Sequence, residues 1–284
     1  MKRIIVNADD FGRHRRINEA VERGVTEGIL RSATLMAGGR AFADAAERAR
    51  RLPELGLGIH FTLVDGFPIL PPEEIPSLVD ENGVFLPNYG AFSKHYAKGG
   101  VRLAEVRAEL AAQLAKFEAA GLRVDHADSH QHMHVLPGIV EVVIGLCREA
   151  KIPALRAPFA PLFAGEFGGV GQFVGRVGLA LLARNAASLA RRAGLFVPEH
   201  FTGIVAGEAV DEAELLAAIK SLREGTTEVM MHPGTANEEL VRDCGWQHDF
   251  EAELAAILSP KAAKLLEEEG IEVVNFQALG GSSS

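Results

Sequence analysis

Near its N-terminus the chain reads Arg3-Ile4-Ile5-Val6-Asn7-Ala8-Asp9-Asp10-Phe11-Gly12, and this segment points to the fold class. A short apolar run that stops at two carboxylates and a glycine is typical of a buried parallel strand reaching the mouth of an α/β fold. Two adjacent like charges are costly unless a cation lies between them, which favours a divalent metal at this strand end. Alternatively, Asp10 is an ordinary N-cap of the following helix, which leaves Asp9 without a role.

A second polar segment reads Asp128-Ser129-His130-Gln131-His132-Met133-His134. If residues 124–134 form a β-strand, alternate side chains point to the same face. This pattern predicts that Asp128, His130, His132 and His134 share one face, where they can hold a metal or move protons. The alternative is a set of solvated or hydrogen-bonded histidines at a strand end, which three histidines in alternation make less attractive.

Two further apolar segments end in histidine, with His60 in 56–63 and His232 in 227–234. Alone, His60 would be an ordinary core histidine. Chemically active side chains at the C-terminal ends of several parallel strands are typical of a (β/α) barrel. The strand predictions are 3–8, 32–36, 56–61, 124–130, 154–156, 203–206, 228–232 and 272–276. The clearest helix predictions between them are 42–51, 103–120, 139–150, 211–222, 250–257 and 261–269.

This alternation predicts an α/β fold, a single distorted (β/α) barrel of seven or eight mostly parallel strands. The chemically active positions extend from residue 9 to residue 232, so we expect one domain over residues 1–279. Excursions from the barrel are expected near 65–100, a Pro- and Gly-rich loop, and near 160–200. Residues 280–284 should form a disordered tail.

The composition is that of a soluble globular enzyme: 284 residues, 48% hydrophobic and 24% charged, with a net charge of −9. The acidic balance argues against nucleic acid as the main partner and is compatible with a neutral sugar. Two cysteines without Cys-x-x-Cys spacing and a strand that begins by residue 3 predict a cytoplasmic protein without disulfides or a signal sequence. The sequence is compatible with a homodimer but does not predict one.

One segment, 168–196, combines long apolar runs with arginines and lacks acidic residues. This composition suits a basic amphipathic helix at the inner face of a membrane. An outer barrel helix that packs on the core with its arginines in water is the more common explanation. The two alternatives make different predictions for peripheral membrane contact.

Four blocks resemble the signatures of the YdjC-type carbohydrate deacetylases, which include the chitooligosaccharide deacetylases. They are NADDFG at 7–12, GIH at 58–60, DSHQHMH at 128–134 and MHP at 231–233. The blocks occur in the family's order and span nearly the whole chain. FTLVDG at 61–66, PPEEIP at 71–76 and LVD at 78–80 are more similar to the hopanoid-biosynthesis-associated (HpnK-like) deacetylases.

The resemblance implies a divalent metal on Asp10, His60 and His130, with Asp9 as general base and His232 as general acid. One carboxylate and two imidazoles leave coordination positions open, as in catalytic zinc sites, and zinc, magnesium, manganese and cobalt all remain possible. The expected reaction is hydrolysis of the acetamide of an N-acetylhexosamine. An N-acetylglucosaminyl hopanoid lipid is the first substrate candidate and a chitooligosaccharide the second.

Four other residues receive supporting roles. Asp128 is expected to orient a metal-bound or catalytic histidine. His132 and His134 could orient substrate or replace a ligand. Arg156 could bind a sugar hydroxyl, pair with Asp9 or Asp128, or form an ordinary salt bridge.

Two other classes of function fit part of the pattern. Two histidines and one carboxylate also describe the facial triad of Fe(II) oxygenases, but that reaction leaves Asp9 and His232 without a role. A sugar-binding barrel without catalysis has no use for Asp9 beside Asp10.

Overall fold

The computed structural model describes residues 1–159, 170–203 and 209–280. Its strands are β1 (Lys2–Phe11), β2 (Ser32–Leu35), β3 (Gly56–Phe61), β4 (His126–Ser129), β5 (Ala154–Leu155), β6 (His200–Thr202), β7 (Gly225–Met231) and β8 (Glu272–Val273). Seven of them form a curled, parallel half-barrel in the order β5-β4-β3-β2-β1-β7-β6, and β8 joins β1 beside this path. The predicted α/β class and distorted barrel are confirmed.

Helices flank the sheet. They are α1 (Arg15–Glu27), α2 (Phe42–Arg51), α3 (Tyr89–Ala97), α4 (Leu103–Ala119), α5 (Ile139–Glu149), α6 (Val170–Arg192), α7 (Glu212–Lys220), α8 (Asn237–Cys244), α9 (Phe250–Ile257), α10 (Pro260–Glu268) and α11 (Gln277–Gly280). The six clearest helix predictions agree with the structure to within two residues at each end. In the part of the chain that the structure describes, no helix combines the length and apolar character needed to cross a bilayer.

The central strand β1 determines where the site lies. Ile4, Ile5 and Val6 are completely buried, because β1 is covered by helices and flanked by β2 and β7. In the register of β1 with β7, Ala8 pairs with Met231, so the residues that follow both strands emerge at the same edge. Within the described residues the ladders between these eight strands are parallel, and this edge therefore collects the C-terminal ends of the strands.

The prediction of a continuous strand over 124–130 is wrong at its end. β4 stops at Ser129, and His130–Val135 forms a 3-10 turn in which Gln131 (φ 51°) and His132 (φ 58°) adopt the left-handed conformation. Two consecutive left-handed residues end the period-two alternation of side chains. The predicted common face of Asp128, His130, His132 and His134 therefore does not exist.

Other boundaries also differ from the predictions. β6 precedes the predicted strand at 203–206, most of which lies outside the described residues. The predicted loop at 65–100 contains α3 and an antiparallel bridge between Val79 and Phe85. The predicted excursion near 160–200 consists, from residue 170 on, largely of α6, while 160–169 and 281–284 are not described. Among the residues that the structure describes, no ladder joins the edge strands β5 and β6, and an isolated bridge links Ala154 of β5 to Phe196, which precedes β6.

Candidate active site

Three predicted metal ligands meet at the C-terminal edge of the sheet. Asp10 lies near the end of β1, His60 lies near the end of β3, and His130 directly follows β4. Asp10 has a φ of 60°, so the chain leaves the strand direction at this carboxylate. All three side chains are buried. The fold thus brings together residues that lie far apart in the sequence.

The donor atoms of these residues are arranged as a cation site requires. Oδ1 of Asp10 lies 3.3 Å from Nε2 of His60 and 2.9 Å from Nδ1 of His130. The same oxygen is buried and has no partner with hydrogen-bond geometry among the described residues. Around tetrahedral zinc, with bonds of about 2.0–2.1 Å, neighbouring donors lie about 3.3 Å apart. The three side chains can therefore coordinate one divalent cation and leave positions open.

Each imidazole has an acidic partner on its outer nitrogen. Nδ1 of His60 lies 2.7 Å from Oδ1 of Asp128, and Nε2 of His130 lies 3.3 Å from Oδ2 of Asp65. Such partners fix the ring orientation of metal ligands, here with Nε2 of His60 and Nδ1 of His130 facing Asp10. The expected orienting role of Asp128 agrees with this geometry. Arg13 adds a positive charge, with Nη1 3.1 Å from Nε2 of His130.

The electrostatics mark this cluster as a place for positive charge. Burial opposes protonation of His60, but the negative charge of Asp128 and the nearby carboxylate of Asp10 together raise its pKa to about 10. Burial likewise opposes ionisation of Asp10, yet His130 and Arg13 hold the pKa of this carboxyl well below its usual 3.8. The negative potential that favours a proton on His60 also favours a bound cation.

The neighbouring carboxylate, Asp9, has a different environment. Its two oxygens form a bidentate pair with Arg156, at 2.6 Å each. Oδ1 also accepts hydrogen bonds from Asn7 (2.8 Å) and Thr34 (3.3 Å). Burial alone would raise the pKa of Asp9, but the Arg156 guanidinium lowers it below the usual 3.8. Asp9 is thus held as an ionised carboxylate beside the cluster of Asp10, His60 and His130.

Arg156 is completely buried and joins three carboxylates. Besides Asp9, its guanidinium contacts Oδ2 of Asp128 at 2.5 Å and Oε1 of Glu228 at 2.7 Å. Of the predicted roles for Arg156, the structure supports pairing with both Asp9 and Asp128 rather than contact with a sugar hydroxyl. Burial raises the pKa of Glu228 to about 7, although Arg156 opposes the shift.

His132 and His134 do not join the cluster of Asp10, His60 and His130. Nδ1 of His134 lies 2.7 Å from the Ser129 hydroxyl and Nε2 lies 3.1 Å from the Arg156 carbonyl oxygen, so both ring nitrogens already have a hydrogen-bond partner. Burial lowers the pKa of His134 to about 4 and that of His132 to about 3, which keeps both rings neutral. The ring of His132 packs edge-on against Phe201.

His232 follows β7 on the opposite side of β1 from His60. Its backbone N–H donates a hydrogen bond to Glu253, and its ring packs edge-on against Trp246 at 4.9 Å between centroids. Burial lowers the pKa of His232, while the negative charges of Asp9 and Glu253 oppose the shift. The imidazole therefore lies within electrostatic range of the carboxylate predicted to act as base.

A cavity of about 670 Å³ lies next to the cluster. Its lining includes Arg13, Thr62, Asp65 and Phe67. The Phe67 ring is 41% exposed and carries the Arg40 guanidinium 4.9 Å above its centroid. Cavities of about 300–1,000 Å³ are the usual size for small-ligand sites.

Several residues of this region were not predicted from the sequence: Arg13, Asp65, Glu228, Trp246, His248 and Glu253. Glu228 carried a signal, because a carboxylate inside an apolar strand needs a buried partner. Asp65 also follows a strand that ends in a predicted ligand. The others lie in helices or irregular segments, where no periodicity marks them.

Comparison with known proteins identifies the family of the chain. A family profile described as YdjC-like protein matches residues 3–268. A carbohydrate deacetylase of Geobacillus stearothermophilus is 31% identical, covering 96% of this chain and 96% of that protein. A human carbohydrate deacetylase is 30% identical, covering 95% and 89%. A solved structure from Enterococcus faecalis V583, described provisionally as a cellobiose-phosphate cleavage protein, superposes with a TM-score of 0.79 at 27% identity over 98% of each chain.

Proposed function

Because the chain belongs to the YdjC-like family, we propose that it hydrolyses the acetamide of an N-acetylhexosamine group with the help of one divalent cation. Its deacetylase relatives support the coarser statement that it is a carbohydrate deacetylase, a hydrolase acting on an amide. The observation that carries the proposal is that the two adjacent carboxylates have different partners. Asp10 faces two imidazoles, whereas Asp9 is bound by Arg156.

A cation held by Asp10, His60 and His130 supplies, when bound, polarisation of the acetamide carbonyl and acidification of water. Asp128 and Asp65 keep the two imidazoles oriented for this task. Zinc and magnesium are the first candidates, and manganese and cobalt suit the same donor set.

Asp9 acts as general base in this proposal. Oδ1 already accepts three hydrogen bonds, from Arg156, Asn7 and Thr34, whereas Oδ2 accepts only the one from Arg156 among the described residues. The lone pair of Oδ2 is thus the one left to take a proton from the attacking water. The low pKa of Asp9 ensures that the base is ionised at neutral pH.

His232 acts as general acid. The carbon–oxygen bond forms as water attacks the carbonyl carbon, and the carbon–nitrogen bond then breaks to give acetate and an amine. An amide nitrogen leaves poorly unless it receives a proton, which His232 donates. The negative charges of Asp9 and Glu253 partly offset the lowering of its pKa by burial and so favour the protonated form.

The substrate proposal is an N-acetylglucosaminyl hopanoid lipid, with a chitooligosaccharide as the alternative. The resemblance at 61–66, 71–76 and 78–80 supports it, and so does the exposed apolar side chain of Leu181 on α6, which is 59% exposed. Peripheral contact of α6 with the inner face of the cytoplasmic membrane belongs to this proposal, as does a single catalytic domain over 1–279. His132 can still border the substrate through its ring.

The test is to incubate metal-loaded protein with each acetylated substrate and to follow the loss of the acetyl group by mass spectrometry. Asp9→Asn serves as the matched control, because it keeps the shape of the base but cannot accept the proton. The proposal expects acetate and a free amine with the native protein only. Equal turnover by the variant would refute the role of Asp9, and no turnover of any N-acetylhexosamine would refute the substrate class.

A further inference from the structure

A second group of potential metal ligands lies beyond the cluster already described. It consists of His232 after β7, His248 in the α8–α9 connection and Glu253 in α9. Their donor atoms lie within 4.8 Å of one another. Two imidazoles and one carboxylate are the same donor set as that of Asp10, His60 and His130, and they also suit zinc.

His248 is the residue of this group whose ring nitrogens lack hydrogen-bond partners among the described residues. Its side chain is only 3% exposed. Nε2 nonetheless lies 3.0 Å from Oε1 of Glu253. The same combination, a short donor-to-donor distance without hydrogen-bond geometry, occurs at Oδ1 of Asp10. Unpaired buried polar atoms are costly, and a shared cation would satisfy them.

The surroundings hold these side chains in place. Trp246 stacks on His248 with centroids 4.0 Å apart, and its ring also packs edge-on against His232. Phe250 packs against both Trp246 and His248. These apolar rings restrict the imidazoles. Glu253 is fixed by accepting backbone hydrogen bonds from Val210 and His232.

We propose that His232, His248 and Glu253 form a second divalent-cation site, and that zinc bound there inhibits hydrolysis. Binding at this site does not depend on the proposed function. Inhibition does, because it requires His232 to be the general acid, whose ring nitrogen the cation would occupy. The site should bind more weakly than the first, because Glu253 is its single carboxylate and already accepts two hydrogen bonds. The first cluster is surrounded by Asp9, Asp65 and Asp128.

The chain carries a specific reporter for this site, since Trp246 is its single tryptophan. Metal-depleted protein is titrated with cobalt, and the bound equivalents, the visible absorption bands and the tryptophan fluorescence are recorded. We expect two equivalents, with quenching of the fluorescence as the second binds. Second-sphere partners alone contribute about 10- to 100-fold to metal affinity, so His248→Gln should weaken the second equivalent by at least about 100-fold.

Two control variants separate the alternatives. His14→Gln alters another His–carboxylate group, with Glu239 and Asp243, at the protein surface. It should leave both equivalents intact, and loss of the second equivalent in this variant instead of His248→Gln would overturn the assignment. Asp10→Asn with His60→Gln should remove the first equivalent and keep the second. A single equivalent in the native protein would also overturn the proposal.

Inhibition is measured separately, as acetate release with one equivalent of zinc and with excess zinc. The native protein should lose most of its activity in excess zinc, and His248→Gln should keep the larger share of its own one-equivalent rate. Equal inhibition of both proteins, with the second equivalent bound only in the native protein, would refute the inhibitory role while leaving the binding site intact. Absence of acetate release under all conditions would instead refute the proposed function.

Discussion

Replacing Arg156 with methionine removes the buried charge that links the base to the rest of the site. Methionine keeps an unbranched side chain but none of the contacts to Asp9, Asp128 and Glu228. Three buried carboxylates then share one interior without a guanidinium. They must either remain ionised in an apolar environment or take up protons.

The expected cost follows from these contacts. Removing one partner of a buried ion pair costs about 3–5 kcal/mol. At about 2–4 °C per kcal/mol for a protein of this size class, the melting temperature should fall by about 6–20 °C near pH 7. The pKa of Asp9 is lowered in the folded protein, so its ion pair contributes stability above the usual value of 3.8 and loses it as the pH falls further. The penalty should therefore shrink toward acidic pH.

The assay is thermal unfolding followed by circular dichroism at neutral pH and near pH 3, which lies below the usual pKa of an aspartate. Arg48→Met is the matched control, because Arg48 pairs with Asp44 and Glu22 with 18% of its side chain exposed. This control should lose no more than about 1 kcal/mol. A loss of less than about 1 kcal/mol in Arg156→Met, or the same loss at both pH values, would contradict the role of Arg156 as the counter-charge of these carboxylates.

Three further predictions concern the base and acid, the buried glutamate and the substrate. Asp9→Asn and His232→Ala should keep the tightly bound metal, measured by elemental analysis, and lose about 10²- to 10⁴-fold in kcat; a near-normal kcat in either variant contradicts its role. The pKa of Glu228 is raised from 4.5 to about 7. Between these two pH values the folded protein binds a proton that the unfolded chain has lost, so about 3 kcal/mol of stability disappears as the pH rises across this interval. Glu228→Gln should abolish this loss in urea titrations at pH values on either side of the range, and an unchanged pH dependence contradicts the assignment. Leu181→Ser should lower turnover of a hopanoid-linked sugar but not of a soluble one, whereas Leu182→Ser, at a partly buried position against the core, should lower both through destabilisation. Equal effects of Leu181→Ser on the two substrates would remove the support that α6 gives to a lipid substrate.

The sequence was most informative where strands end in polar residues. Asp10 and His60 could be placed at one edge of the sheet because parallel strands share a direction. In the structure Oδ1 of Asp10 lies 3.3 Å from Nε2 of His60. His130 was placed correctly for a partly wrong reason. It belongs to this edge because it follows β4, and not because it continues an alternating strand.

The remaining features depend on conformations and contacts that no local pattern encodes. The residue types of Gln131 and His132 do not require two consecutive left-handed conformations. The chain nevertheless adopts them, and His134 then contacts Ser129 and Arg156. The bidentate pair of Arg156 with Asp9 spans 147 residues. A single sequence offers several acidic partners for such an arginine, and only the fold decides among them.

If hydrolysis depends on a cation held by Asp10, His60 and His130, metal-free protein should release no acetate. The protein is stripped with a chelator, checked for folding by circular dichroism, and assayed on an N-acetylglucosamine oligomer before and after addition of one equivalent of zinc or magnesium. We expect no acetate from the stripped protein, recovery with one equivalent, and no recovery in His60→Gln. Sustained acetate release by folded, metal-free protein, or full recovery in His60→Gln, would contradict this dependence on the cation.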